Sequence, residues 1–209
     1  MRRLSHNVAT QAHIKEKDDK QLLREFVASF EKLDDLSSCF ETDHIAWELS
    51  RGDSDEDGRK PWRSIFHSTD RSHLEELYKE VTPGWPPLYE ELVLTYRWAT
   101  VDLKSYRLLA NPPGADLGGL LMQMRGDKAL WNVLVPNGYL QFGKAPDVNY
   151  DPMCFDLNRR LRDGDCRIVR IDHEEVLCND RVREVSEIAP SFRELMLGTI
   201  ELAARSTPA

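Results

Sequence analysis

Apolar residues at Leu22, Leu23, Phe26, Val27, Phe30, Leu33 and Leu36 recur at steps of three and four, with Lys20, Arg24, Glu25, Glu31, Lys32 and Asp35 between them. That period predicts an amphipathic helix with one core-facing stripe. Asp18 or Asp19 is placed to cap its start and Ser37-Ser38 to end it. The pattern then lapses. Gly52-Asp53-Ser54-Asp55-Glu56-Asp57-Gly58, followed by Pro61, has no periodicity and predicts a solvated acidic loop. A boundary near residue 60 divides an N-terminal helical extension with its acidic loop, residues 1–60, from a main domain, residues 61–209.

Ser72-His73-Leu74-Glu75 matches the S-x-x-E capping box and precedes Leu77, Tyr78 and Val81 at helical spacing, with Pro83-Gly84 as a stop. Pro86-Pro87 then leads Leu88, Tyr89, Leu92, Val93 and Tyr96 into a second helix. Tyr106 to Leu109 is strand-like, and Asn111-Pro112-Pro113-Gly114 has turn chemistry. Leu117, Leu120, Leu121, Met124, Leu130 and Leu134 return to helical spacing.

From Gly138 the texture changes to short strands between turn signals: Tyr139 to Phe142, Met153 to Leu157, Arg167 to Asp172, and Val176 to Cys178. These spacings predict an antiparallel sheet. A second capping box, Ser191-Phe192-Arg193-Glu194, opens a closing helix through Leu195, Met196, Thr199 and Leu202. Helices, a strand cluster and a closing helix make the expected fold class α+β, with helices packed on one side of a mainly antiparallel sheet.

Composition narrows the function. The chain has 209 residues, 41% of them hydrophobic, enough for a self-standing core. Its 36 acidic and 28 basic residues leave a net charge of -8, which disfavours a phosphate backbone or an anionic membrane as partner and suits a basic one. No run of about 18 apolar residues exists, so no membrane span is expected. Met1 to His6 is basic, but Gln11, His13, Lys15 and Glu16 occupy the place of a signal's apolar core. Cys39, Cys154, Cys166 and Cys178 form no C-x-x-C pair and read as reduced thiols of a cytoplasmic protein.

Candidate chemistry is sparse. Asp172-His173-Glu174-Glu175, with Asp151 and Asp156 on the neighbouring strand, could serve a small metal-dependent hydrolase through Asp151, Asp156, His173 and Glu174. It is not H-E-x-x-H, and the simpler reading is polar groups that finish a strand and cap a turn. Ser186 and Ser191 lack a G-x-S-x-G elbow, and Ser191 reads as a helix cap. Gly114 to Gly119 lacks the lysine of a P-loop.

Arg159, Arg160, Arg162, Arg167, Arg170, Arg181 and Arg183 alternate with Asp156, Asp163, Asp165, Asp172, Glu174 and Glu175. Mixed signs predict cross-strand ion pairs rather than a nucleic-acid face. Trp85, Trp98 and Trp131 fall on helical stripes and are expected in the core, whereas Trp47 and Trp62 flank the acidic loop. The expected partner-binding residues are therefore Trp47, Asp53, Asp55, Glu56, Asp57 and Trp62, with Asp172, His173 and Glu174. No cofactor, metal or catalytic residue is expected.

Three segments carry a family resemblance. Pro87-Leu88-Tyr89-Glu90-Glu91-Leu92 resembles a proline-led aromatic helix, Tyr150-Asp151-Pro152-Met153-Cys154-Phe155-Asp156-Leu157 a central strand pair, and Ala189-Pro190-Ser191-Phe192-Arg193-Glu194-Leu195-Met196 a closing helix of the SUKH superfamily, the Smi/Knr-like proteins. The likeness runs from Trp85 to Met196; residues 1 to 70 fall outside it, and Tyr96-Arg97-Trp98-Ala99 replaces the glycine-rich turn of many members. It implies a bent, mostly antiparallel sheet with helices around it. It also implies a non-enzymatic immunity protein that binds and neutralises a toxin, often a nuclease; the net charge adds the expectation of no direct nucleic-acid or membrane contact. A Smi/Knr-like regulatory scaffold, with the N-terminal helix as a docking arm, is the alternative of the same family.

Overall fold

The computed structural model describes residues 4–33, 47–58, 60–146 and 150–206, with the backbone alone for residues 4–18 and 76. Helix α1 (Leu4–Leu33) buries Leu22, Leu23, Phe26, Val27, Phe30 and Leu33, the stripe that its periodicity predicts. It begins well before Asp18 and Asp19, because residues 4–17 contain neither proline nor glycine to stop it. Asp19 caps nothing; its carboxylate pairs with Arg193. Leu36, Ser37 and Ser38 lie outside the described residues.

The chain returns through β1 (Ile65–Phe66) and a 3-10 turn over Arg71–Leu74 into α2 (Glu75–Glu80). The cap here is Asp70, whose Oδ1 accepts from the Ser72 N–H at 2.8 Å, so Ser72 is not the expected cap. Helix α3 (Pro87–Thr95) starts with proline at its first turn, as predicted. It runs into the short strand β2 (Tyr96–Arg97), which pairs antiparallel with β1.

Strands β3 (Val101–Asp102) and β4 (Arg107–Leu108) follow, then α4 (Gly118–Gly126) and α5 (Lys128–Leu134). The single apolar stripe read across these last two is broken at Asp127, whose carboxylate accepts from the Ala129 and Leu130 N–H groups and caps α5. Strands β5 (Tyr139–Lys144), β6 (Pro152–Arg160) and β7 (Cys166–Ile171) match the predicted cluster. Val176 to Cys178 is not a strand but part of α6 (His173–Asn179), capped by Asp172. Three apolar residues are too short a run to show a period, and only Val176 is buried. Strand β8 (Glu184–Ala189) and α7 (Phe192–Ser206) complete the fold.

Strands β3 to β8 form one six-stranded antiparallel sheet in sequence order. The fold is thus α+β, with helices packed around an antiparallel sheet on both faces rather than on the one side expected from the element order. Side chains alternate between faces along a strand. Phe155 of β6 and its β7 partner Ile168 join the main core with α1, α3 and α7. Cys154 and its partner Val169 join a smaller cluster with Leu130, Val133 and Leu134 of α5 and Val176 of α6.

The main core is aromatic. Phe142 and Phe155 stack at 4.4 Å, and Tyr89 and Phe192 meet both through tilted or edge-on contacts. Phe26 of α1 meets Phe192 at 6.1 Å and Phe30 meets Trp98 at 6.2 Å, so the helix set apart as an extension packs into the same core as the sheet. Among the described residues, no helix is long and apolar enough to cross a membrane.

Candidate functional site

Two polar regions stand out, one at the end of the sheet and one at the tip of the acidic loop. At the sheet end, β7 finishes at Ile171 and Asp172 turns the chain into α6, its Oδ1 accepting from the Glu175 N–H at 3.0 Å. That hydrogen bond and the ion pair with Arg183 hold the Asp172 carboxyl below the usual range. Turning puts His173 against Asp151, which lies just before β6 and is 4% exposed. Asp151 Oδ1 accepts from the His173 Nδ1 at 2.8 Å and its backbone N–H at 3.1 Å, while Oδ2 accepts from Arg170 Nε at 2.6 Å. Desolvation pushes the Asp151 carboxyl up, but the His173 hydrogen bonds and the Arg170 guanidinium outweigh it and hold it below the usual range.

A second cluster sits further along β6. Asp156, 1% exposed, accepts from Arg167 Nε at 2.7 Å. Arg167 also reaches Glu184 at 2.5 Å, and the Tyr139 hydroxyl donates to Glu184 at 2.8 Å. Burial would lower the Arg167 pKa, yet its bonds to Asp156 and Glu184 prevail and raise it. The alternating signs of the sequence thus become cross-strand and strand-to-helix ion pairs, with Arg181 on Glu175 at 2.7 Å completing the set. Asp156 is buried rather than solvated, since β6 is covered on both faces, and Asp151, just before the strand, is buried as well.

These distances divide the hydrolase candidates. Asp151 and His173 meet, Asp156 belongs to the Arg167 pair, and Glu174 is exposed on α6. No three His, Cys, Asp or Glu side chains among the described residues are grouped to hold a metal ion. With Nδ1 committed to a carboxylate that is itself paired with Arg170, the dyad acts as a clasp between the residue-151 bend and α6. Ser191 caps α7, its Oγ accepting from the Glu194 N–H at 3.1 Å, as predicted. Ser186 lies on β8 opposite Arg170. Of the cysteines, Cys154 and Cys166 are buried thiols, the latter pushed by burial up to about 12, and Cys178 is an exposed one. Cys39 lies outside the described residues.

The second region is a returning loop. Arg51 N–H donates to Pro61 O at 2.8 Å and Arg63 N–H to Leu49 O at 3.0 Å, with Ser50 and Trp62 bridged. This pairing holds residues 53–57 at a tip, where Asp53, Asp55, Glu56 and Asp57 are exposed. Trp47, before the paired residues, is 81% exposed. Trp62 is the opposite case: at 2% exposure its ring belongs to the main core, so it is withdrawn as a contact residue. Asp172 and His173 are half-buried and committed to the α6 cap, Arg183 and Asp151, which leaves Glu174 as the exposed member of that corner.

Asp165 and Arg97 are among the buried polar residues that no sequence pattern marks. Asp165, 5% exposed, accepts from the Cys166 and Phe192 N–H groups at 2.8 and 3.0 Å and from the Arg193 N–H at 3.1 Å, joining the β6–β7 turn to the start of α7. Its signal was one acid among many in a charged stretch. Arg97 is fully buried and donates to the Val93 and Tyr96 carbonyls and to Thr69 Oγ1, without an ion pair among the described residues, and burial draws its pKa down to about 10. Nothing in its spacing marks it. No protein-family model matches this chain, and no curated protein matches its sequence.

Proposed function

We propose that this chain is a non-enzymatic protein-binding module of the SUKH type, an immunity protein that binds and neutralises a toxin, with a basic nuclease as the best-suited class. The observation that carries this reading is the 81% exposed Trp47 in the same returning segment as the exposed acids Asp53, Asp55, Glu56 and Asp57. An exposed tryptophan supplies an anchor of large apolar area, and a cluster of carboxylates steers a basic partner toward this segment. The net charge of -8 extends that field. The commitment of Asp151, Asp156 and Asp172 to arginine partners also favours a structural use of the sheet-end carboxylates over turnover. The scaffold alternative needs α1 as a docking arm, and burial of Leu22 to Leu33 weighs against it.

The test is coexpression with the product of the gene that neighbours this one in its native host. Protection of the cells and a stable complex of the two proteins are expected. Replacing Asp53, Asp55, Glu56 and Asp57 by their amides should slow association at least tenfold at low salt and leave thermal stability unchanged, while Trp47→Ala should speed dissociation. An unprotected host and no complex would refute the immunity role.

A further inference from the structure

Gly198 sits in the middle of α7, where glycine weakens a helix. A Cβ built there would meet nothing within 4 Å, so no neighbour in this chain demands the glycine. It lines an open groove of about 330 Å³. Ile188 and Ala189 at the end of β8 and Ser105-Tyr106, just before β4, line the same groove.

The two margins of the sheet are treated differently. At one, β3 is two residues long, Val101 is buried, and α1 packs against it. At the other, β8 is paired, among the described residues, on one side only, to β7. Five of its six residues are exposed, Val185 and Ile188 among them. An uncovered edge strand presents a row of backbone donors and acceptors ready to pair with another chain. Glu184, Glu187, Glu194 and Glu201 are exposed around it, against Arg167, which pairs with Glu184 and Glu187, and Arg205, which pairs with Glu201, so that carboxylates outnumber these two cations.

We propose that β8 and this groove receive an extended, lysine- or arginine-bearing segment of a protein partner, which adds a seventh strand outside β8 and lays an apolar side chain over Gly198. Strand addition draws affinity from the main chain and specificity from pockets for alternate side chains, and the groove is such a pocket. The surrounding carboxylates select the sign of the segment. A second copy of this chain is the poorer occupant, because pairing β8 with β8 brings Glu184 and Glu187 against their own counterparts. The inference rests on the protein-binding reading only in requiring a protein partner, and it assigns a surface other than the acidic loop.

The test uses the full chain and a synthetic ten-residue peptide of alternating valine and lysine, followed by calorimetry and amide hydrogen exchange. Binding with at least tenfold slowed exchange in β8 is expected. The peptide with glutamate for lysine, and the one N-methylated at alternate residues, should each bind at least tenfold more weakly. Gly198→Phe should lose binding at least tenfold with the melting temperature held or raised, since the site has room for a side chain. Failure of the lysine peptide to bind, binding without β8 protection, or full binding by Gly198→Phe would each overturn the proposal, as would a dimer of the chain alone that protects β8. Because the peptide stands in for any partner, its binding is decided independently of whether a nuclease is neutralised.

Discussion

Cys154 and Phe155 are neighbours on β6 and point to opposite faces of the sheet. Phe155 lies in a dry aromatic core with Phe142, Tyr89 and Phe192. On the Cys154 side a small aliphatic cluster with α5 and α6 holds the strands, and Asp156, two residues along, is tied to Arg167. Burial of aromatic surface is non-directional and indifferent to proton concentration over the ordinary range, whereas carboxylate–guanidinium pairs depend on geometry and charge. One face therefore sets how stable the fold is, and the other sets how its edges and α6 are positioned.

The largest effect should come from Phe192→Ala. Its ring touches Phe26, Tyr89, Phe142 and Phe155, and truncating a fully buried phenylalanine costs about 3–5 kcal/mol. At about 2–4 °C per kcal/mol for a chain of this size, the melting temperature should fall by about 10 °C. Cys154→Ala, on the opposite face, removes far less volume; a loss as great as that of Phe192→Ala would break the comparison.

Asp156→Ala comes next. It strips Arg167 of its most buried partner but leaves Glu184 and Glu187, so the cost should be about 2 kcal/mol rather than the 3–5 of a fully orphaned buried charge. Denaturant unfolding at neutral pH measures it. A near-zero cost would mean that Glu184 alone satisfies Arg167.

Acid sharpens the contrast without any change of volume. The Asp151 carboxyl titrates lower in the folded chain than in the unfolded one, so the His173 and Arg170 clasp contributes fully above the ordinary aspartate pKa of about 4 and is lost as pH falls below it. Asp151→Asn should flatten that acid limb of the stability curve, while Phe192→Ala should displace the whole curve and keep its slope. Parallel curves for the two variants would deny Asp151 its part in acid unfolding.

The same contrast decides what the sequence made legible. Helices α1, α3 and α7 and strands β5 to β7 carry their apolar residues at helical or strand-like spacing because those residues fill the core, so their order and the α+β class could be read. Strand β8 has almost nothing to bury: Glu184, Val185, Ser186 and Glu187 are all exposed, and its place is fixed by pairing with β7. The site was half legible. Interleaved signs announced the ion pairs, but which acids are buried depends on β6 being covered on both sides, which no local pattern shows. Trp47 and Trp62 looked alike beside the acidic loop, and only the bridge between Ser50 and Trp62 separates the exposed ring from the buried one.

The smallest expected change has the opposite sign. Gly198 has no positive φ and open space where a Cβ would project, so Gly198→Ala should stabilise α7 by about 0.5–1 kcal/mol through helix propensity and a less flexible unfolded chain. Around the same helix, Leu195, Met196 and Thr199 are buried, and the Thr199 and Tyr106 hydroxyls meet at 3.0 Å. Alanine at 198 should therefore raise the melting temperature by about 2 °C without disturbing that buried side. A fall instead would mean that the groove closes over position 198 within this chain, and the glycine would then serve internal packing in place of an incoming strand.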